Sequence, residues 1–170
     1  MWMCNMFTEA DIVYAVYIAI PAYIANGVPP IFGGGPPIDF GRVFIDGKRI
    51  FGANKTFRGL LTGLFFGSAA TFVMGVLVNL ELLGLGLLAS TGALLGDLFG
   101  AFIKRRLGFE PGAPFPLLDQ LDFIFGAVTF TRSIYNTTFG STLILVIFTP
   151  PIHLLANFVA YRLGLKRNWW

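Results

Sequence analysis

The sequence has little charge. Only 12% of its 170 residues are Asp, Glu, Lys or Arg, whereas about a quarter of the residues of a typical soluble domain are charged. Hydrophobic residues make up 55% of the chain, and the mean hydropathy is +0.73. This composition excludes an ordinary soluble enzyme and predicts an integral membrane protein.

Cysteine, histidine and N-terminal basic residues are also scarce. The single Cys4 excludes a disulfide within the chain. The only histidine, His153, is isolated in an apolar run, and we interpret it as a packing or pore-facing residue. No Lys or Arg precedes the first apolar run, so the chain lacks the basic region of a cleaved signal peptide. We expect the first run to be a permanent span, and residues 1–170 to form one transmembrane domain.

The chain contains five long apolar runs. A helix of about 20 residues crosses a bilayer, so we predict an all-α integral membrane protein with five transmembrane helices, at roughly residues 12–32, 60–80, 82–103, 116–132 and 142–161. The fourth run is barely long enough at about 1.5 Å per residue. We expect Pro21 to kink the first helix and Pro150-Pro151 to break the last one.

Two local patterns add detail. Asp46-Gly47 lies between two short β-prone stretches, which predicts a small β-hairpin on the membrane surface. Small residues spaced by four let transmembrane helices approach closely. We therefore expect close packing at the two glycine faces of the second and third runs, formed by Gly59, Gly63 and Gly67, and by Gly92, Gly96 and Gly100.

The distribution of basic residues predicts the topology. With five spans, eleven of the twelve Lys and Arg residues fall on one side of the membrane. The positive-inside bias then predicts an external N-terminus and a cytosolic C-terminus. Near that C-terminus, we expect an interfacial anchor made of Arg162, Lys166, Arg167, Trp169 and Trp170.

Three carboxylates are expected at one depth. Asp97 lies seven residues before Lys104, about 10 Å below the cytosolic interface. Asp119 and Asp122 begin the fourth run and share a helix face. An acid within a span costs about 2.5 kcal/mol or more and is functional by default. Carboxylates without nearby His or Cys suit a hard cation, and Mg²⁺ fits if phosphates complete its coordination. The alternative is that Asp119 and Asp122 only cap their helix.

A polar segment precedes the second run. In GANKTFRG, the side chains of Asn54, Lys55, Thr56 and Arg58, with Gly59, surround the expected N-terminus of a helix. Free N–H groups at such an end bind anions, so we predict a phosphate site. The P-loop spacing is absent. The alternative is a capped helix whose basic side chains reach the interface.

Two motifs resemble those of the CDP-diglyceride synthetases, the phosphatidate cytidylyltransferases. GDLFGAFIKRR followed by DQLD resembles their Gly-Asp, Lys-Arg and Asp-x-x-Asp signature, and NKTFRG resembles their Lys-Lys-Thr-x-Glu-Gly element. The short length and PIDFGRVFIDGKRIFGANKTFRG resemble the archaeal branch more closely. Asn54 and Arg58 depart from the bacterial pattern, and the loop EPGAPFPLL lacks its histidine.

The resemblance implies transfer of CMP from CTP to an isoprenoid ether glycerol phosphate, digeranylgeranylglyceryl phosphate, with release of pyrophosphate. It implies CTP, this lipid and the bilayer as partners, with no nucleic acid. Mg²⁺ would be held by Asp97, Asp119 and Asp122, and the CTP phosphates by residues 54–56, 58 and 59. Lys104 and Arg105 would contact the attacking lipid phosphate or the leaving pyrophosphate. For these two residues, topology alone is an alternative explanation.

Two other function classes stay open at this point. A CTP-dependent polyprenol kinase would also bring a nucleotide to a membrane lipid, but it would release CDP. A small ion or solute transporter would place Asp97 on a permeation path. A transporter would not need acidic and basic groups clustered at one face.

Overall fold

A computed structural model describes residues 7–135 and 137–165. Lys166, Arg167, Trp169 and Trp170, which belong to the predicted interfacial anchor, lie outside the described residues. The described chain is helical and contains no regular β-strand. Its helices are α1 (Glu9–Gly27), α2 (Pro29–Phe32), α3 (Phe57–Leu77), α4 (Leu83–Arg106), α5 (Leu118–Arg132) and α6 (Phe139–Arg162).

The predicted all-α membrane fold is confirmed. Four helical segments are long and apolar enough to cross a bilayer: Glu9–Phe32, Phe57–Leu77, Leu80–Arg106 and Phe139–Arg162. The helix α5 has 15 residues and is therefore about 22 Å long. It is shorter than the hydrocarbon core of about 30 Å, as the short fourth run predicts.

Threonine side chains begin three of the long helices. Thr8, Thr56 and Thr138 occupy the N-cap positions of α1, α3 and α6, and each accepts a hydrogen bond from a backbone N–H in the first turn. A hydroxyl at this position satisfies a donor that the helix itself leaves unpaired. The helices therefore begin slightly before the apolar runs, at polar residues near the expected interface.

The predicted break at Pro150-Pro151 is wrong. The helix α6 continues through both prolines, and α1 continues through Pro21. A proline removes one backbone hydrogen bond, but membrane helices tolerate it because neighbouring groups and local adjustments satisfy the freed carbonyl. Hydropathy alone cannot tell a tolerated proline from one that ends a helix.

The glycine faces bring the helices into close contact, as predicted. A Cβ at Gly92 or Gly96 would collide with the backbone of Gly126 or Asp122, so α4 and α5 touch through their main chains. A Cβ at Gly63 would meet the carbonyl of Ala25, 2.5 Å away, on α1. The helix α4 packs against α1, α3 and α5, which makes it the central element of the fold.

The polar loop before α3 forms a tight turn without regular strands. Gly47 has φ +73° and donates its N–H to Phe44 O at 3.0 Å, while Phe44 N–H bonds Lys48 O at 2.8 Å. An antiparallel bridge joins Val43 and Arg49. The Asp-Gly turn is therefore present, but a single bridge replaces the predicted hairpin strands.

Candidate active site

An ion pair joins the two predicted halves of the site. Lys55 Nζ lies 2.7 Å from Asp97 Oδ1 and 2.5 Å from Asp97 Oδ2. Lys55 comes from the segment before α3, and Asp97 lies in the middle of the central helix α4. The structure therefore brings the predicted phosphate site and the intramembrane acid together, although 42 residues separate them. Both side chains keep about a quarter of their surface exposed.

Asp122 lies at the closest contact between α4 and α5. Its carboxylate faces Gly100, where a Cβ would collide with Oδ2. Its Oδ1 accepts the backbone N–H of Phe123 at 2.6 Å. Asp122 also lies within electrostatic range of Asp97, Lys55 and Asp119. Gly100 therefore leaves the space that the Asp122 side chain fills.

A second lysine holds Asp119. Lys104 Nζ donates to Asp119 Oδ1 and Oδ2 at 2.8 and 2.9 Å and to Ala113 O at 2.5 Å. Asp119 Oδ2 also accepts the N–H of Phe115 at 2.9 Å. The N-cap of α5 is Leu117, which makes no side-chain cap bond. Asp119 therefore does not occupy the N-cap position that the alternative interpretation gave it. Through Lys104 and the Phe115 N–H, it connects α5 to the C-terminal end of α4 and to the loop that follows.

The carboxylates fit a divalent cation only in part. No group of three His, Cys, Asp or Glu side chains in the described ranges is close enough to bind one metal ion. Asp97 and Asp122 are near each other, and Asp119 is occupied by Lys104. One or two carboxylates completed by phosphate oxygens and water are the usual protein environment of Mg²⁺. The donor set thus fits a Mg²⁺ ion that arrives with a phosphate-bearing substrate.

The other residues of the predicted phosphate site have unequal roles. Thr56 is buried, caps α3 by accepting the Gly59 N–H at 3.1 Å, and also accepts the Gly34 N–H at 3.3 Å. Gly59 packs closely against Pro29. Asn54 and Arg58 are exposed, and the Asn54 amide faces Gly112. Thr56 and Gly59 therefore shape the helix end, while Lys55 is the member that reaches the acids.

Arg105 lines a separate basic pocket. The residue is 5% exposed, and its Nη2 donates to Glu110 O at 3.1 Å. Its Nε and Nη1 are buried and have no hydrogen-bond partner among the described residues. The adjoining cavity has a volume of about 240 Å³, and its lining includes Lys48, Arg49 and Pro111. Buried donors without partners are costly, so Nε and Nη1 are available to an acceptor oxygen from a bound ligand.

Asp39 is not among the site residues predicted from the sequence. This buried carboxylate accepts hydrogen bonds from the Arg49 guanidinium and from the N–H groups of Gly41, Phe51 and Gly52. Burial alone would raise the pKa of Asp39, but these donors together hold that pKa well below its usual range. Asp39 therefore organises the loop that presents Arg49 to the basic pocket. No sequence motif signals this role, because all its partners are backbone groups or lie ten or more residues away.

Arg106 connects the same loop to α4. Its guanidinium donates to the carbonyls of Lys48 and Arg49 at 3.2 and 2.5 Å and lies 3.1 Å from Asp46. It also stacks over the ring of Phe44 at 4.9 Å. The basic ends of α4 and of the loop before α3 therefore lie on the same side of the molecule, as the predicted topology requires.

His153 lies in α6, away from these ion pairs. Its ring is tilted against Phe123, 6.1 Å between centroids, and its Nδ1 lies 3.3 Å from Asn157 Nδ2. These contacts agree with the packing interpretation.

Comparison with known proteins identifies the family. The family model CarS-like, CDP-archaeol synthase, matches residues 9–170. The chain is 44% identical over 164 residues to a CDP-archaeol synthase of Methanococcus aeolicus, covering 89% of this chain and 92% of the relative. It is also 44% identical over 157 residues to one of Sulfolobus acidocaldarius, covering 89% and 93%.

A solved structure, described as an intramembrane enzyme for archaeal membrane lipids biosynthesis, superposes with a TM-score of 0.81. It is 41% identical to this chain, and the match covers 86% of this chain and 94% of that one. The agreement therefore extends over sequence and fold together, along nearly the whole length. On these grounds, the chain belongs to the CDP-archaeol synthase family.

Proposed function

We propose that this protein transfers CMP from CTP to the phosphate of an isoprenoid ether glycerol lipid, digeranylgeranylglyceryl phosphate, and releases CDP-archaeol and pyrophosphate. The observation that carries the proposal is the Lys55–Asp97 ion pair beside Asp122, in a member of the CDP-archaeol synthase family. This ion pair joins a cation near the N-terminus of α3 to a carboxylate within a membrane-spanning helix. The same family membership supports cytidylyl transfer over a polyprenol kinase or a transporter.

Asp97 and Asp122 are the proposed Mg²⁺ ligands. Asp97 and Asp122 are neighbours between α4 and α5, and Lys55 is the cation beside them. A bound Mg²⁺ would neutralise charge on the phosphates and polarise the α-phosphoryl group. Asp119, the third predicted ligand, would join only after leaving Lys104. The preference of Mg²⁺ for one or two carboxylates plus phosphates supports this assignment.

The cationic side chains are the proposed phosphate contacts. Lys55, close to the N-terminus of α3, would donate to the CTP triphosphate, with Asn54 and Arg58 on the exposed side of the same segment. Thr56 and Gly59 would hold the backbone that faces the phosphates. Arg105 has two buried N–H-bearing atoms without partners, which suits the leaving pyrophosphate or the lipid phosphate. Lys104 would act beside it through its link to Asp119.

This chemistry needs no strong general base. The attacking group is a phosphate monoester that is already ionised at neutral pH. The protein's contribution is therefore to align the lipid phosphate with the α-phosphorus and to neutralise charge as pyrophosphate leaves. Clustered cations and carboxylates, rather than an acid–base pair, are the expected machinery.

The test is a set of Asp→Asn variants in a purified assay with CTP, Mg²⁺ and the lipid phosphate, measuring pyrophosphate release. We expect Asp97→Asn and Asp122→Asn each to lose most turnover, because Asn keeps the size but not the charge that Mg²⁺ needs. Asp119→Asn should also lose turnover. Glu81→Gln, an exposed carboxylate before α4, is the matched control and should stay active.

Near-normal release by Asp97→Asn and Asp122→Asn at saturating Mg²⁺ would refute the metal assignment. Release of CDP instead of pyrophosphate by the unmodified protein would refute cytidylyl transfer and favour a kinase.

A further inference from the structure

The turn before α3 presents an unusual apolar surface. Residues 42–49, here called the interfacial turn, carry Val43 at 58% exposed and Ile45 at 94% exposed. Phe40, just before the turn, is 66% exposed. These side chains stand beside the exposed basic residues Arg42 and Lys48. Exposed apolar groups flanked by basic ones are typical of segments that lie at a membrane interface.

The interfacial turn is rigid rather than loosely tethered. Asp39 fixes its base through four donors, and Arg106 fixes its far side through two carbonyls. Phe40 has φ +48°, a left-handed conformation that is an outlier for a bulky residue. Such strain persists only where the surroundings impose it, and it often marks a functional position. The structure therefore imposes this conformation just before the turn, where the Phe40 ring also packs against Phe57, 5.3 Å between centroids.

The depth of the turn follows from its contact with α4. The ring of Phe44 packs edge-on against Phe102, 5.3 Å between centroids. Phe102 lies one turn before Arg106, inside the last turns of a membrane-spanning helix. Phe44 therefore lies beside the basic C-terminal end of α4, where Lys104, Arg105 and Arg106 predict the membrane interface. Ile45 is the next residue along the chain and is exposed.

We propose that the interfacial turn inserts Ile45 and Val43 into the outer part of the lipid leaflet, with Arg42 on anionic headgroups. The occupant of this surface is thus an anionic lipid interface. Charge complementarity supports it, as does continuity with the lipid-facing surface of α4. Burial of two aliphatic side chains and attraction of the exposed Arg42 are each favourable at such an interface. The proposal does not depend on the catalytic assignment.

The test measures depth directly. In a Cys4→Ser background, a nitroxide is attached at Ile45→Cys, at Val43→Cys and at the control Ala53→Cys, an exposed position closer to α3. The proteins are placed in phosphatidylglycerol vesicles. We expect labels at 45 and 43 to collide more with oxygen, which partitions into lipid, than with a water-soluble nickel chelate. The label at 53 should show the opposite order.

Three outcomes would overturn the proposal. The labels at 45 and 43 could both collide with the nickel chelate as often as the label at 53, which would place the turn in water. They could be shielded from both reagents and show spin–spin broadening that dilution with unlabelled protein removes, which would identify a second copy as the occupant. They could also be shielded from both reagents without such broadening, which would indicate contact within the chain. Because the readout is collision frequency, loss of enzymatic activity does not affect the result.

Discussion

At the residue scale, the site is built from ion pairs that cross between helices. Lys55 neutralises Asp97, and Lys104 neutralises Asp119. A carboxylate within a membrane span is costly unless it is paired. Each lysine therefore lowers the free-energy cost of burying its partner carboxylate before any substrate binds. A bound nucleotide would then compete for the same ammonium groups.

Lys55→Ala tests this arrangement. Removing a charged donor from a phosphate costs about 1.5–3 kcal/mol, so CTP affinity measured by titration calorimetry should fall roughly ten- to hundredfold. Arg132→Ala is the control because Arg132 is exposed at the opposite end of α5. Unchanged CTP affinity in a folded Lys55→Ala protein would show that Lys55 serves only Asp97.

Asp39 gives a prediction about pH. Its pKa is depressed in the folded protein, so its ionised form stabilises the fold fully above the unfolded pKa of about 3.9. That stabilisation is lost as pH falls from there towards the folded pKa. At pH 7, Asp39→Asn should therefore have a lower melting temperature than the parent protein and a free energy of unfolding that is lower by about 1–3 kcal/mol. This difference in stability between the two proteins should become smaller below about pH 4.

Thermal melts of both proteins in detergent from pH 7 to pH 3 measure this difference. A difference in stability between the two proteins that stays constant down to pH 3 would contradict the role assigned to the Asp39 carboxylate.

At the element scale, the contact between α4 and α5 determines where Asp122 sits. Gly92 and Gly96 let the two main chains touch, and Gly100 leaves room for the Asp122 carboxylate. Because α5 is short, its position depends on this contact more than on its own length in the bilayer. Packing and chemistry are therefore coupled at one helix pair.

Gly96→Ala should damage both stability and activity. The new Cβ would meet the backbone of Asp122 and Gly126, which cannot rotate away as a side chain can. Overpacking of this kind costs about 1–3 kcal/mol, so we expect a lower melting temperature and reduced pyrophosphate release. Gly27→Ala, where the Cβ would meet nothing within 4 Å, is the matched control. Equal melting temperatures for the two variants would show that α5 moves to accommodate the new Cβ without loss of stability.

At the scale of the whole molecule, the basic groups lie together at one end. The loop before α3 touches the C-terminal end of α4 through Arg106, so eight of the twelve basic residues belong to one structural face. The positive-inside bias then favours a cytosolic position for this face, where CTP is available.

Cysteine labelling checks that orientation. In the Cys4→Ser background, Ala53→Cys should react with a membrane-impermeant maleimide only from the cytosolic side, and Ile134→Cys only from outside. Both positions are exposed. The reverse pattern would place the site on the outer face and would contradict the predicted orientation.

The sequence by itself determined the fold class, the approximate helices and the candidate acids. These are local properties: hydropathy over about 20 residues predicts a span, glycine spacing predicts a packing face, and an acid within an apolar run indicates function. The paired motifs were also enough to indicate the family. Where the interpretation failed, at the Pro150-Pro151 break and at the strands around Asp46-Gly47, the outcome depended on neighbouring structure rather than on the residues themselves.

Only the tertiary structure decided which charges meet. Two ion pairs join residues that are distant along the chain, Lys55–Asp97 and Lys104–Asp119. The buried guanidinium of Arg105 and the hydrogen bonds of Asp39 involve loop backbone that no sequence motif marks. Ion pairing depends on distances of a few ångströms, whereas hydropathy reports only position along the membrane normal. The sequence could therefore predict that the carboxylates lie at one depth, but it could not show that Lys55 pairs with Asp97 and Lys104 with Asp119.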